Sequence, residues 1–175
     1  MGIPAAPAAV KLIAGVLAAS DPLLDAAQAA LAAEIGVIDS ISERSDWTQS
    51  TYYAAEMGPA IRRQFVSFAV LRAPEELAAL KVRANAIEDR WRTARGRQVN
   101  IDPGYVGTGQ LVLASTKEAA HRLYLRDGIY AEVTLWFRNG SFEPLPYTYR
   151  DYAADGVRQY FNGVRATYLH QRRHG

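Results

Sequence analysis

Val10 to Leu17 places apolar residues at Val10, Leu12, Ile13, Val16 and Leu17, a dense run that predicts a buried strand. Ser20-Asp21-Pro22 follows, a capping side chain with proline in the first turn. Leu24, Ala27, Leu31 and Ile35 then recur at helical spacing until Gly36 stops the helix. Val37 to Ile41 predicts a second strand and Gln64 to Leu71 a third. Pro74-Glu75-Glu76 opens a second helix with Leu77, Leu80, Ala84, Ile87 and Trp91 on its apolar face and Gly96 at its end. Val99 to Asp102 predicts a fourth strand, stopped by Pro103-Gly104. The order β-α-β-β-α-β is the ferredoxin-like pattern.

Further strands follow. Leu111 to Ala114 is short and apolar, and His121–Arg126 and Ile129–Phe137 flank Asp127-Gly128 as a two-residue hairpin. Asn139-Gly140 supplies another turn before Ser141–Leu145. Val157, Tyr160, Phe161, Val164 and Tyr168 then mark a last helix. The prediction is an α+β fold: a ferredoxin-like core extended by a C-terminal β-meander and a final helix. It forms one domain over residues 10–170, after a disordered tail over 1–9. Residues 45–60 read as a long irregular loop holding Trp47, Tyr52 and Tyr53, and loops of that length are often functional.

The chain has 175 residues, 49% of them hydrophobic, and no cysteine. That excludes disulfides, thiolate metal sites, iron–sulfur clusters and a cysteine nucleophile, and it agrees with a reducing compartment. No apolar run reaches the ~20 residues that span a bilayer. The opening Met1-Gly2-Ile3-Pro4 lacks the plan of a signal peptide, and Ala6 breaks the myristoylation pattern. A cytoplasmic protein without a membrane partner is expected. Net charge is +2, from −5 over residues 1–60 and +7 over 61–175. Seventeen of the twenty basic residues are Arg. Arg suits bidentate contact with phosphate or carboxylate, although a base-biased genome would give the same composition. Nothing resembles a nucleic-acid footprint. The P-loop, dinucleotide, GxSxG and HExxH patterns are absent.

Asn100 and Asp102 share one face of the fourth strand, with Asp102 at its end, where ligand sites collect. The bland alternative is an aspartate that bonds turn amides. Ser115-Thr116-Lys117-Glu118 fits a capping box, whose free amides beside Lys117 would dock an anion; a plain cap fits as well. If Asp127-Gly128 are the turn, Leu123 faces Glu132 and His121 faces Thr134, which makes His121 and Glu132 diagonal neighbours on a wet face. An imidazole beside a carboxylate can act as an oriented base or help hold a metal. It can equally be a solvated pair. In this register Arg122 falls on the core side, a sign either of a wrong register or of a buried anion.

Seven stretches stand together along the chain: Tyr52-Tyr53 with Glu56-Met57-Gly58, Val99 to Tyr105, Leu113 to Lys117, His121-Arg122, Gly128 to Leu135, Thr148-Tyr149 and Asp151-Tyr152. On these the chain resembles, over nearly its whole length, the uncharacterised bacterial family of the domain of unknown function 4416. Tyr147 and Arg150 stand where the family has Trp and Pro in its Trp-Thr-Tyr-Pro-Asp-Tyr stretch. The resemblance implies a bacterial origin and one domain, and no activity.

Two functions are expected from the residues. The first is binding of a small phosphate- or nucleotide-type anion, with hydrolysis or phosphoryl transfer as the chemistry. Asp102, His121 and Glu132 would be catalytic. Asn100, Ser115, Thr116, Lys117, Arg122, Tyr52 and Tyr53 would hold the ligand, and Asp102 and Glu132 would hold Mg²⁺. The second is a non-catalytic module whose aromatic loops bind a protein or close a homodimer.

Overall fold

A computed structural model describes residues 2–174. In chain order the strands are β1 (Val10–Ala18), β2 (Ile38–Ile41), β3 (Ser45–Asp46), β4 (Arg62–Arg72), β5 (Val99–Val106), β6 (Gln110–Ser115), β7 (Leu123–Arg126), β8 (Ile129–Arg138) and β9 (Ser141–Pro144). The helices are α1 (Asp21–Glu34), α2 (Ala54–Met57), α3 (Leu77–Glu88), α4 (Arg150–Ala153) and α5 (Asp155–His174). One antiparallel sheet runs β2-β4-β1-β5-β6-β8-β7, with β3 added on β4 and β9 on β8. The fold is α+β.

Alternation along β1 decides what each face of the sheet buries. Leu12, Ala14, Val16 and Ala18 face α1 and α3, where Leu24, Leu31, Leu80 and Ile87 complete a core. Ile13 turns the other way, into a second core with Phe65, Phe161 and Val164 under α5. Each fully buried Leu, Ile or Phe contributes roughly 1.5–3 kcal/mol. Ser20 caps α1 by accepting from the Leu23 amide at 3.5 Å, as its position predicts. α3 ends at Glu88, with Asp89–Trp91 as a 3₁₀ turn, short of the expected stop at Gly96. α5 runs on through Arg172 and Arg173 to His174, past the expected domain end at residue 170.

Three departures from the expected plan shape the site. First, Pro103-Gly104 does not end β5, which continues to Val106. Second, no helix begins at Ser115-Thr116-Lys117-Glu118; β6 ends there and the Ser115 hydroxyl accepts from the Lys117 amide at 3.1 Å. Third, the C-terminal strands are not a simple meander. β6 pairs with β8, and β7 and β9 share the far edge of β8.

The hairpin register also shifts. Leu123 pairs with Ala131, not Glu132, because Leu125 is an unopposed bulge residue between Tyr124↔Tyr130 and Arg126↔Ile129. His121 lies in the turn before β7, so it has no cross-strand partner. Thr134 is a second bulge residue, between Leu111↔Leu135 and Val112↔Val133. The face expected to be wet is therefore closed at its centre: Glu132 and Thr134 are both buried. The expected loop over 45–60 carries β3 and α2. Residues 2–9 form neither helix nor strand and lie exposed.

Candidate functional site

β5 is paired to β6 over only part of its length. The ladder joins Gly104, Tyr105 and Val106 to Leu113, Val112 and Leu111 and goes no further. The next position is Pro103, which has no N–H to give. Gly104 permits the last close approach, since a Cβ there would lie 2.2 Å from the Val112 carbonyl oxygen. Beyond it the sheet splits. Ile101 leaves both backbone groups on the open side, and α3 answers them. Lys81 Nζ donates to the Ile101 carbonyl at 2.6 Å, and Glu88 Oε1 accepts from the Ile101 amide at 2.7 Å. Burial raises the Glu88 pKa, with Lys81 opposing it. Two side chains thus stand in for the missing strand and leave a cleft where it would lie.

The cleft has two halves. A polar half of about 470 Å³ reaches from Lys81 and Glu88 to Glu132. An aromatic half of about 450 Å³ is walled by Trp47, Tyr52, Tyr147 and Tyr152. Tyr53, Asp102, Lys117 and Tyr149 border both.

Asp102 stands at this seam. Its Oδ2 accepts from Asn100 Nδ2 at 3.1 Å and lies 3.6 Å from Arg63 Nη1, while Lys81 Nζ is 4.0 Å from Oδ1. Asn100 is itself held by Arg97, whose Nη1 donates to Asn100 Oδ1 at 3.0 Å. Arg97 also binds Glu56 at 2.7 Å and holds that carboxyl below its usual range. Lys117 Nζ donates to Tyr52 Oη at 2.9 Å and lowers the phenol's pKa, whereas burial raises those of Tyr53 and Tyr149.

Glu132 is engaged on both oxygens. Arg122 Nε donates to Oε2 at 2.7 Å, His121 Nε2 lies 3.3 Å from the same oxygen, and Thr134 donates to Oε1 at 3.1 Å. Arg122 further bonds Tyr149 Oη at 2.6 Å and the Lys117 carbonyl at 2.8 Å. His121 stacks on Tyr147 with ring centroids 4.1 Å apart. The inward-pointing Arg122 is thus the counter-ion of a buried carboxylate.

Beneath the aromatic half lies Arg63, 3% exposed, with Nη2 2.8 Å from Asp151 Oδ2. Its guanidinium sits 4.4 Å from the Phe65 ring centroid and 5.3 Å from that of Tyr152. Gly15 makes the room: a Cβ there would lie 2.7 Å from both Arg63 Nη2 and Tyr152 Oη.

The structure brings Asn100, Asp102, Ser115, Thr116, Lys117, Glu132, Tyr52 and Tyr53 to one cleft. It sets His121 and Arg122 behind Glu132, as its supports. Among the described residues no three His, Asp or Glu side chains gather as a metal-holding group. The expected Mg²⁺ site on Asp102 and Glu132 therefore lacks a third ligand, and Glu132 is already bound by Arg122. The expected anion dock on helix amides at Ser115–Glu118 has no helix to supply them. Arg63, Lys81, Glu88, Arg97 and Asp151 are missed by the sequence reading. The signal for Arg63 is an arginine immediately before Gln64, where the expected third strand begins.

Among the described residues no helix is long and apolar enough to cross a membrane. No curated protein and no solved structure matches the chain. The profile of the domain of unknown function DUF4416 matches residues 8–168, spanning the whole sheet, both walls of the cleft and most of α5. The chain belongs to the DUF4416 family.

Proposed function

We propose that the split sheet binds a small anionic molecule of phosphate or nucleotide type, with its charged group in the polar half and its remainder among the tyrosines. The observation that carries this is an imbalance of charge at the seam. Every carboxylate lining the polar half has a cationic partner: Glu56 has Arg97, Glu88 has Lys81, Asp89 has Arg92, Asp102 has Arg63 and Glu132 has Arg122. Lys117 and Arg95 line the same half and form no ion pair among the described residues. Two unpaired cations above a neutralised wall favour an anion.

In hydrolysis or phosphoryl transfer Asp102 would be the base, since it borders both halves and its side chain is 31% exposed. Glu132, held on both oxygens, would position Arg122 and Tyr149. The β2-β4-β1-β5 order, with both crossover helices on one face, supports a ferredoxin-like core. The test is calorimetric titration of the full chain with pyrophosphate, ribose 5-phosphate and nucleoside monophosphates. Binding that weakens with salt and with Lys117→Met is expected. An absence of binding by all three would end this proposal.

A second function has its own observation. Leu123 and Tyr124 on β7 are 76% and 61% exposed on an edge strand, which supports self-association through that edge. The aromatic loops expected to serve as an interface also line the cleft. Sedimentation of Leu123→Lys against the parent chain tests this, and a monomer in both would refute it.

A further inference from the structure

Among the described residues five buried side-chain atoms have no hydrogen-bond partner: Arg63 Nε and Nη1, Asp151 Oδ1 and Oδ2, and Tyr152 Oη. All five belong to one cluster, and all three residues line the aromatic half of the cleft. The 2.8 Å approach of Arg63 to Asp151 is an ion pair without hydrogen-bond alignment. An unpaired buried donor or acceptor costs about 1–3 kcal/mol. Folded proteins leave few such atoms, and those that persist call for an explanation. The glycine at position 15 is what admits the guanidinium and the phenol together, so the cluster is built into the sheet.

The chemistry of the cluster is mixed. Asp151 offers only acceptors and Arg63 only donors, side by side. A bare phosphate would meet the carboxylate and be repelled. A plain hydrocarbon ring would leave all five atoms unpaired. The group that answers both is a planar ring edge with an N–H donor beside an acceptor, as a lactam or an amidine edge provides. Around it Trp47, Tyr52, Tyr53 and Tyr147 supply the flat apolar walls on which such a ring stacks.

We infer that the aromatic half is a nucleobase-type heterocycle pocket, in which an N–H donor on the ring edge meets Asp151 and the acceptor beside it meets Arg63. This rests on the phosphate- or nucleotide-type proposal above and names the ring edge that its ligand presents. A ring whose edge N–H is blocked, as in N3-methyluridine, leaves Asp151 unmet.

The experiment is calorimetry of the full chain with uridine, N3-methyluridine and ribose 5-phosphate, repeated on Asp151→Asn. Uridine is expected to bind roughly tenfold tighter than N3-methyluridine, the equivalent of one buried hydrogen bond. Asp151→Asn is expected to narrow that margin and leave ribose 5-phosphate binding intact, which also shows that the variant is folded. If that variant does not fold, Tyr152→Phe serves, and the margin is expected to narrow. Equal binding of the two nucleosides overturns the inference, as does binding of ribose 5-phosphate with neither of them; where ribose 5-phosphate binds, the anion proposal survives. Nucleoside selectivity without ribose 5-phosphate binding supports the pocket and sinks the anion proposal.

Discussion

Two buried cations lie on the same face of the sheet, at opposite ends, and they are treated differently. Lys11 is fully buried, and its three ammonium hydrogens find Asp39 Oδ2 at 2.5 Å, the Phe68 carbonyl at 2.9 Å and Gln171 Oε1 at 3.0 Å. Asp39 is completed in turn by the Ser67 hydroxyl at 2.6 Å. Arg63 is as deeply placed, yet two of its nitrogens and both oxygens of its partner Asp151 go unpaired. Lys11 ties β1, β2, β4 and α5 together and has nothing left to offer. Arg63 balances the charges of Asp102 and Asp151 yet keeps two nitrogens free of hydrogen bonds. The difference separates a charge that serves the fold from one kept for a ligand, because an unmet buried group is a standing penalty that only an incoming partner relieves.

The strongest test of this contrast is Lys11→Met. It leaves Asp39 without its counter-ion, and a loss of about 3 kcal/mol is expected, because removing one member of a buried pair strands the other charge. In thermal unfolding that is a fall of roughly 6–12 °C for a chain of this size. Ligand binding by the folded fraction should be unchanged. The companion test replaces the other cluster whole. Arg63→Met with Asp151→Leu is expected to stay within about 1 kcal/mol of the parent, since a buried ion pair exchanged for apolar groups is often neutral. The same double variant should lose all discrimination among nucleosides. If it unfolds as readily as Lys11→Met, both clusters are structural and the contrast fails.

Much of the fold was legible because periodicity is a strong signal where a face is fully buried. The stripe Leu24, Ala27, Leu31 and the run Phe161, Val164, Tyr168 read correctly as helices, as their burial shows. Pro103 misled because a proline ends a strand's pairing only on the side to which its nitrogen points. β5 keeps its ladder with β1 through Pro103 and loses only β6. The bulges at Leu125 and Thr134 leave no mark in a pattern of alternating residues, so alternation alone sets the hairpin register one position away from the observed Leu123↔Ala131. Within the site, Asn100, Asp102, Lys117 and the tyrosines stood out as polar or aromatic residues near strand ends. Arg63 and Asp151 did not, because β4 and α4 meet only in the folded chain.

Lys117 is a cation at the surface of the cleft, with neither the full burial of Lys11 nor, among the described residues, a carboxylate partner like that of Arg63. Lys117→Met is expected to weaken binding of ribose 5-phosphate by about tenfold, one charge-assisted hydrogen bond's worth. It should also return the Tyr52 phenol toward its ordinary range, seen as an alkaline shift of one tyrosine in an ultraviolet titration. Unchanged binding together with the phenol shift would make the pair an ornament of the rim rather than part of the site.

The smallest effect belongs to Glu56, an exposed-rim counterpart of the two buried clusters. Its side chain is 31% exposed, and Arg97 holds its carboxyl below the usual carboxylate range. A carboxyl with a lowered folded pKa adds stability that is present above its unfolded range and lost as pH falls through the folded one. Glu56→Gln should therefore cost less than about 1 kcal/mol at neutral pH, as partly exposed pairs do. In urea unfolding series the gap between variant and parent should close in acid, where both side chains are neutral. A gap that persists there would mean that charge is not what Glu56 contributes, since glutamine keeps the side chain's shape. In that event Arg97 is held by its hydrogen bond to Glu56 Oε2 at 2.7 Å rather than by charge, and Arg63 and Lys81 alone order Asp102 electrostatically.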